Sequence, residues 1–139
     1  VTRKITLAAA NIRLGHQDSI ELGNLDAKRD WGHAKDYVKA MWLMLQQETP
    51  EDYVISTGET HSVEDFLEEV WACAELGDPK RHLKINEKYF RPQEVPYLLG
   101  NCSKAKRVLG WKPVYDFTAL ASDMYNQDFN KIVSKKGWK

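Results

Sequence analysis

With 139 residues, 42% of them apolar and including five Trp, six Tyr and four Phe, the chain can build one hydrophobic core, which excludes disorder over most of its length. Twenty Lys and Arg balance twenty Asp and Glu, which excludes bulk positive charge as a source of affinity for nucleic acid or a membrane surface; any anion site must be local. Cys73 and Cys102 lie far apart without CxxC spacing, and no apolar run reaches membrane-spanning length, so a soluble protein of the reducing cytoplasm is expected.

Ile5, Ala8, Ala9 and Ile12 recur at helical spacing, so a helix is predicted from Thr2 to Leu14 with Gly15 as its stop. It has no N-cap of its own, because Val1 already sits inside the pattern, and the natural start is expected upstream. Ser19 to Asn24 reads as a short strand, followed by the charged loop "LDAKRDWG". A long helix is predicted from about His33 to Gln47, with Ala34, Tyr37, Val38, Met41 and Leu45 on one stripe that Trp42 and Met44 widen. Asp52 to Gly58, "DYVISTG", reads as a buried strand, and "SVED" at Ser62 to Asp65 as a capping box. The helix it opens turns Val63, Phe66, Leu67, Val70, Trp71 and Ala74 inward. His82 to Ile85 is a further strand candidate, "YFRPQEVPY" an ordered loop, and Ser103 to Leu109 a basic helix ended by Gly110. A last helix begins near Asp116 with Phe117, Leu120, Ala121 and Met124 on one face, and the basic tail from about Lys131 is expected to fray. No repeat or second domain interrupts the chain, so residues 1–139 are read as one α/β domain.

Most routes to chemistry close on inspection. His33 and Asp36 do not make a metal site, since no third or fourth ligand has the right spacing; His33 reads as a capping or surface residue. No Ser carries the glycines of a nucleophile elbow, and neither G-x-G-x-x-G nor a Walker loop is present. Two segments remain. In "RPQEV", Pro92 biases Arg91 to an extended conformation, so its guanidinium fork suits a diphosphate and the Glu94 carboxylate a pair of sugar hydroxyls. In "KRDWGH", Arg29 follows a strand end and Trp31 can exclude water beside it. The alternative is a set of surface salt bridges, Arg29 with Asp30 or Asp36 and Arg91 with Glu94, and local spacing alone favours it.

The order of "VTRKI", "LGNLDAKRDWGHAKDYVKAMWLMLQQ", "PEDYVISTGETHSVEDF", "YFRPQEV" and "LLGNCSKAKRVLGWKP" resembles the C-terminal part of the GDP-mannose 4,6-dehydratases, from Val1 to about Met124. These are extended short-chain dehydrogenases/reductases. The resemblance implies an α/β fold of helices packed on a few short strands, with the Rossmann half that binds NADP and carries the catalytic Thr or Ser, Glu, Tyr and Lys absent from this chain. It implies a lyase of GDP-fucose biosynthesis in which this part, residues 1–139, binds the GDP-sugar. Lys4 and the Val1 backbone are then expected near the guanine, Arg29 and Arg91 on the diphosphate and Glu94 on the ribose. The chain has no TGxxGxxG loop and no Tyr-x-x-x-Lys pair, so no catalytic, cofactor-binding or metal-binding residue is assigned to it. The segment from Leu76 to Arg91 is shorter than the family's usual connection. The expected partners are a GDP-sugar and either the Rossmann half or a second copy on the same docking face. Two rivals stay open: the substrate half of a sibling GDP-4-keto-6-deoxy-sugar reductase, and a non-catalytic module that docks on a Rossmann-type partner.

Overall fold

Apolar residues three and four apart become buried helix faces only where another element is available to cover them, and this condition sorts the fold. In the computed structural model, which describes residues 1–136, the order is α1 (Thr2–Arg13), β1 (Ile20–Leu22), β2 (Lys28–Arg29), α2 (Ala34–Leu45), β3 (His61–Ser62), α3 (Val63–Cys73), β4 (Leu83–Ile85), α4 (Ser103–Leu109) and α5 (Phe117–Lys136). Single 3-10 turns occupy Pro79–Arg81 and Glu87–Tyr89. The chain forms two compact units: residues 1–27, 62–96 and 121 onward make the first, residues 28–61 and 97–120 the second.

In the first unit, α1 packs on α3. Ile5, Ala8, Ala9 and Ile12 of α1 are buried, as are Val63, Phe66, Leu67, Val70, Trp71 and Ala74 on and just after α3, the sets that periodicity predicts. The capping box forms as read: Ser62 Oγ accepts from the Asp65 amide at 3.0 Å and Asp65 Oδ2 from the Ser62 amide at 2.7 Å. β1 and β4 pair in parallel with Ile20 opposite Leu83 and Leu22 opposite Ile85, a pairing that requires a crossover, and α3 lies in it. The buried Thr6 hydroxyl donates to Asp128 of α5 at 2.7 Å, and Arg3 pairs with the same carboxylate at 3.3 Å.

In the second unit α2 packs on α4. Ala40, Cys102, Ala105, Leu109 and Trp111 form its buried core, with Tyr37, Leu43, Met44, Tyr53 and Ile55 packed around them. Gly110, at φ 61°, ends α4 as the sequence suggests. The Trp111 indole donates to the Asp36 carbonyl at 2.9 Å, and the buried Asp36 carboxylate accepts from the Val114 and Tyr115 amides, each at 3.0 Å.

Three segments depart from expectation. Residues 52–58 form no strand and pair with none among the described residues, and Val54 is 55% exposed: β-propensity marks a chain that can pair, and pairing also needs a partner. On α2 the buried residues are Asp36 and Ala40, whereas Val38, Met41, Trp42 and Leu45 are 52–82% exposed. The helix is apolar on more than one face, and the core around Ala40 takes Tyr37, Leu43 and Met44 from it. Helix α5 continues to Lys136, past the point where fraying is expected; the remainder of the expected tail, 137–139, lies outside the described residues.

Cys73 and Cys102 are unbridged thiols. Among the described residues no three His, Cys, Asp or Glu side chains gather as a metal site, and no helix is long and apolar enough to cross a membrane.

The two polar anchors differ in depth, and the difference is measurable by urea denaturation. Ser62→Ala removes an exposed cap and is expected to cost about 1 kcal/mol. Asp36→Ala removes the buried acceptor of two part-buried amide bonds and is expected to cost more, about 2–4 kcal/mol, since each donor left unsatisfied away from water costs about 1–3. Equal costs would mean that solvent reaches the Val114 and Tyr115 amides.

Candidate functional site

Of the residues singled out from the sequence, Val1, Lys4, Arg91 and Glu94 belong to the first unit and Arg29 to the second. Lys4 lies in the first turn of α1, and its ammonium sits 3.6 Å from the centroid of the Tyr89 ring, a cation–π contact. The Val1 carbonyl accepts from the Ile5 amide at 3.2 Å, so that part of its backbone is committed to α1. Tyr89 ends the second 3-10 turn, two residues before Arg91. Arg91 is exposed and Glu94 half-buried, on a stretch with neither helix nor strand. The structure therefore brings Lys4 to the root of the arm that carries Arg91 and Glu94, through an aromatic residue that the sequence reading passed over. The signal for it was the aromatic pair Tyr89-Phe90 directly before Arg-Pro.

In the second unit Arg29 is half-buried and its Nη1 donates to the Lys28 carbonyl at 2.8 Å. Both carboxylates considered as its ion-pair partners serve as loop anchors. Asp36 holds Val114 and Tyr115, as described. Asp30 accepts from the Thr57 amide at 2.8 Å, the Thr57 hydroxyl at 2.6 Å, the Gly58 amide at 3.0 Å and the Gly100 amide at 3.1 Å. Gly100 is required there, because a Cβ would collide with the Ser56 side chain. His33 is a capping residue, as read: its Nδ1 accepts from the Lys35 amide at 3.1 Å and its ring stacks on Tyr115 at 4.0 Å.

Trp31 lines a cavity of about 200 Å³ within the same unit, together with Thr57, Glu59, His61, Asp116 and Phe117. Nothing in the sequence reading marked it. Its groups are largely turned on one another: His61 stacks on Phe117 at 3.8 Å, Trp31 on Phe117 at 6.4 Å, and Asp116 Oδ1 accepts from the Ala119 amide at 2.8 Å at the head of α5.

Burial pushes the Asp30 carboxyl up, but the Thr57 hydroxyl and the amides of Thr57, Gly58 and Gly100 outweigh it and hold the pKa below the usual carboxylate value. Burial, with Asp30 nearby, raises the Tyr37 phenol. A carboxyl depressed in the folded state stabilises the fold above its unfolded pKa, and the contribution is lost as pH falls through the folded value. Thermal melts between pH 7 and pH 3 are therefore expected to show wild-type stability falling at the acid end, and Asp30→Asn, less stable at pH 7, should fall less steeply. Parallel profiles would mean that Asp30 does not titrate against the fold.

A sequence profile of the family described as GDP-mannose 4,6 dehydratase matches residues 1–124. The GDP-mannose 4,6 dehydratase of Homo sapiens is 50% identical over 146 residues, covering 92% of this chain and 39% of the human protein. GDP-mannose 4,6 dehydratase 1 of Arabidopsis thaliana is 52% identical over 136 residues, covering 98% of this chain and 37% of the plant protein. Among solved structures, RMD from Pseudomonas aeruginosa complexed with NADPH superposes with a TM-score of 0.83 at 17% identity, over 94% of this chain and 42% of that one. The dTDP-glucose 4,6-dehydratase of Bacillus anthracis in complex with NAD gives 0.74 at 20% identity, over 95% and 40%. Those likenesses carry the fold alone, an α/β fold that spans about two fifths of each of those chains. The chain spans about two fifths of the length of the curated relatives it matches. With about half its residues identical to such relatives over nearly its whole length, it belongs to the GDP-mannose 4,6-dehydratase family.

Proposed function

We propose that this chain is the GDP-sugar-binding part of a GDP-mannose 4,6-dehydratase, a cytoplasmic lyase of GDP-fucose biosynthesis. The observation that carries the reading is the roughly 50% identity to enzymes of that name over 92–98% of the chain. In such an enzyme the sugar is oxidised at C4, water is eliminated across C5 and C6, and the hydride returns to C6, so that NADP is recycled. The residues of this chain do not fit NADP. α2 and α3 follow short strands, but their N-termini are capped by His33 and Ser62 and carry no glycine-rich turn to cradle a diphosphate. Hydride and proton transfer therefore belong to the rest of the enzyme, and this part binds and orients.

Each binding role follows from side-chain chemistry. The Lys4 ammonium can donate to a base carbonyl. The planar forks of Arg29 and Arg91 can each donate two parallel bonds to phosphate oxygens, and Glu94 can accept from ribose hydroxyls. The exposed apolar face of Val38, Met41, Trp42 and Leu45 supports a second role, docking of the Rossmann half or, without it, of a second copy.

Calorimetric titration of GDP and GDP-mannose tests the binding role. Arg29→Ala or Arg91→Ala is expected to weaken binding, by about 2–5 kcal/mol where the site is desolvated and by less in an open site. Affinity equal to wild type in both variants would make the two arginines surface ion-pair residues. With NADP and GDP-mannose supplied, no turnover is expected from this chain alone, and measurable dehydration by a pure preparation would overturn the division of labour. Light scattering is expected to show association that grows with concentration and is reduced in Trp42→Glu; a strict monomer at high concentration would remove the docking face.

A further inference from the structure

Resting on that reading, we infer that Glu21 and Lys88 are positioning residues: their ion pair locks the root of the arm that carries Arg91 and Glu94. All the groups concerned lie in the first unit.

The arm after Phe90 has no regular structure and is mostly exposed, so how firmly its root is held bears on how its binding groups are aimed. Ordering a loose backbone costs entropy, and a ligand's apparent affinity falls with the fraction of molecules in the competent arrangement. The root is the turn Asn86 to Tyr89. The Asn86 amide donates to the Leu22 carbonyl at 2.8 Å, which ties the turn to the end of β1. Asn86 Oδ1 accepts from the Lys88 amide at 3.1 Å, and the Tyr89 and Phe90 amides donate back to Asn86 and Glu87 at 3.1 and 3.0 Å.

Glu21 adds a side-chain tie to the same turn. It is the middle residue of β1, so strand alternation turns it away from the side on which Ile20 and Leu22 are buried. A carboxylate in that position ordinarily faces water. Here one oxygen, Oε2, accepts from both Lys88 Nζ and Asn86 Nδ2, each at 3.0 Å. The Lys88 hydrogen bond, followed by that of Asn86, holds the Glu21 carboxyl below its usual value. Lys88 Nζ also lies 4.8 Å from the Tyr89 ring centroid, with Lys4 Nζ 3.6 Å from it. On the backbone side, a Cβ at Gly23 would stand 2.7 Å from the Tyr89 carbonyl oxygen, so the strand end abuts the turn directly. Tyr89, itself 42% exposed, is thus touched by Lys4 of α1, by the end of β1 and by Lys88, two residues ahead of Arg91.

Exposed ion pairs contribute little to global stability. A lock of this kind therefore shows as local loosening without unfolding. The test is hydrogen exchange at the Tyr89 and Phe90 amides of the full chain, free of ligand, in Glu21→Ala, Lys88→Met, the conservative Lys88→Arg, and the control Arg13→Met, which breaks a surface pair with Glu75 elsewhere in the unit. Exchange is expected to quicken about 5- to 10-fold in Glu21→Ala and Lys88→Met, and to stay near wild type in Lys88→Arg and the control, with thermal midpoints little changed. Wild-type exchange in Glu21→Ala and Lys88→Met, or quickening in all four variants, would overturn the lock. The readout needs no ligand, so failure of GDP titration with the arginine variants refutes the binding reading and leaves the exchange result to decide the lock. Where GDP binding is measurable, the two loosened variants should lose affinity and Lys88→Arg should keep it.

Discussion

The second unit depends on one carboxylate. Asp30 draws together Thr57, Gly58 and Gly100, segments 27 to 70 residues away in sequence, with four donors on two oxygens. Such a group is costly to withdraw from water unless most of its lone pairs are matched, and here they are. On the other side of Arg29, the Lys28 carbonyl accepts from the Leu98 amide at 3.0 Å. Arg29 thus projects from a backbone held at both neighbours. Asp36 repeats the device six residues on, so the charged loop owes its shape to acidic side chains that bind amides.

The first unit is organised differently. α1 and α3 meet through apolar faces, and the polar bonds are few and local: a capping box before α3, a buried Thr6–Asp128 bond with Arg3 at its edge between α1 and α5, and the Glu21–Lys88–Asn86 cluster at the end of β1. Shape-dependent packing gives α1 and α3 a fixed relation, while Arg91 and Glu94, proposed to meet ligand, ride on a loop outside any helix or strand. Rigidity and access are separated along the sequence in this way. α2 shows the converse, a well-formed helix with an apolar face that its own unit leaves bare.

What the sequence made legible were local signals. The Ser62–Asp65 box with its 3.6-residue periodicity located α3 and its buried set, Gly110 ended α4, and His33 read correctly as a cap. Two kinds of feature escaped. Three-residue strands such as β1 and β4 pair across about 60 intervening residues, and no local pattern encodes their parallel register. The anchoring roles of Asp30 and Asp36 were hidden for the same reason, since their partners are distant backbone amides and near neighbours offered plausible ion pairs instead. The "DYVISTG" segment misled in another way, because propensity describes the segment and strand formation also depends on a neighbour. For the candidate site, the chemistry of Arg29, Arg91 and Glu94 and, for Lys4, the family resemblance alone singled the residues out, whereas the Tyr89 contact that links Lys4 to the arm went unmarked.

That same segment fixes its own length. At one end Lys104 donates to the Asp52 carbonyl and pairs with Glu51, each at 2.8 Å; at the other Thr57 is tied to Asp30. Between the two attachments Tyr53 and Ile55 pack against the core of the unit and Ser56 is buried, so deleting one residue shortens the span and displaces that packing, or one of the two end attachments has to release. Insertions are absorbed readily in the exposed "ETPE" turn just before it and poorly within residues 53–56, so the boundary between tolerant and intolerant positions falls at the Lys104 contact.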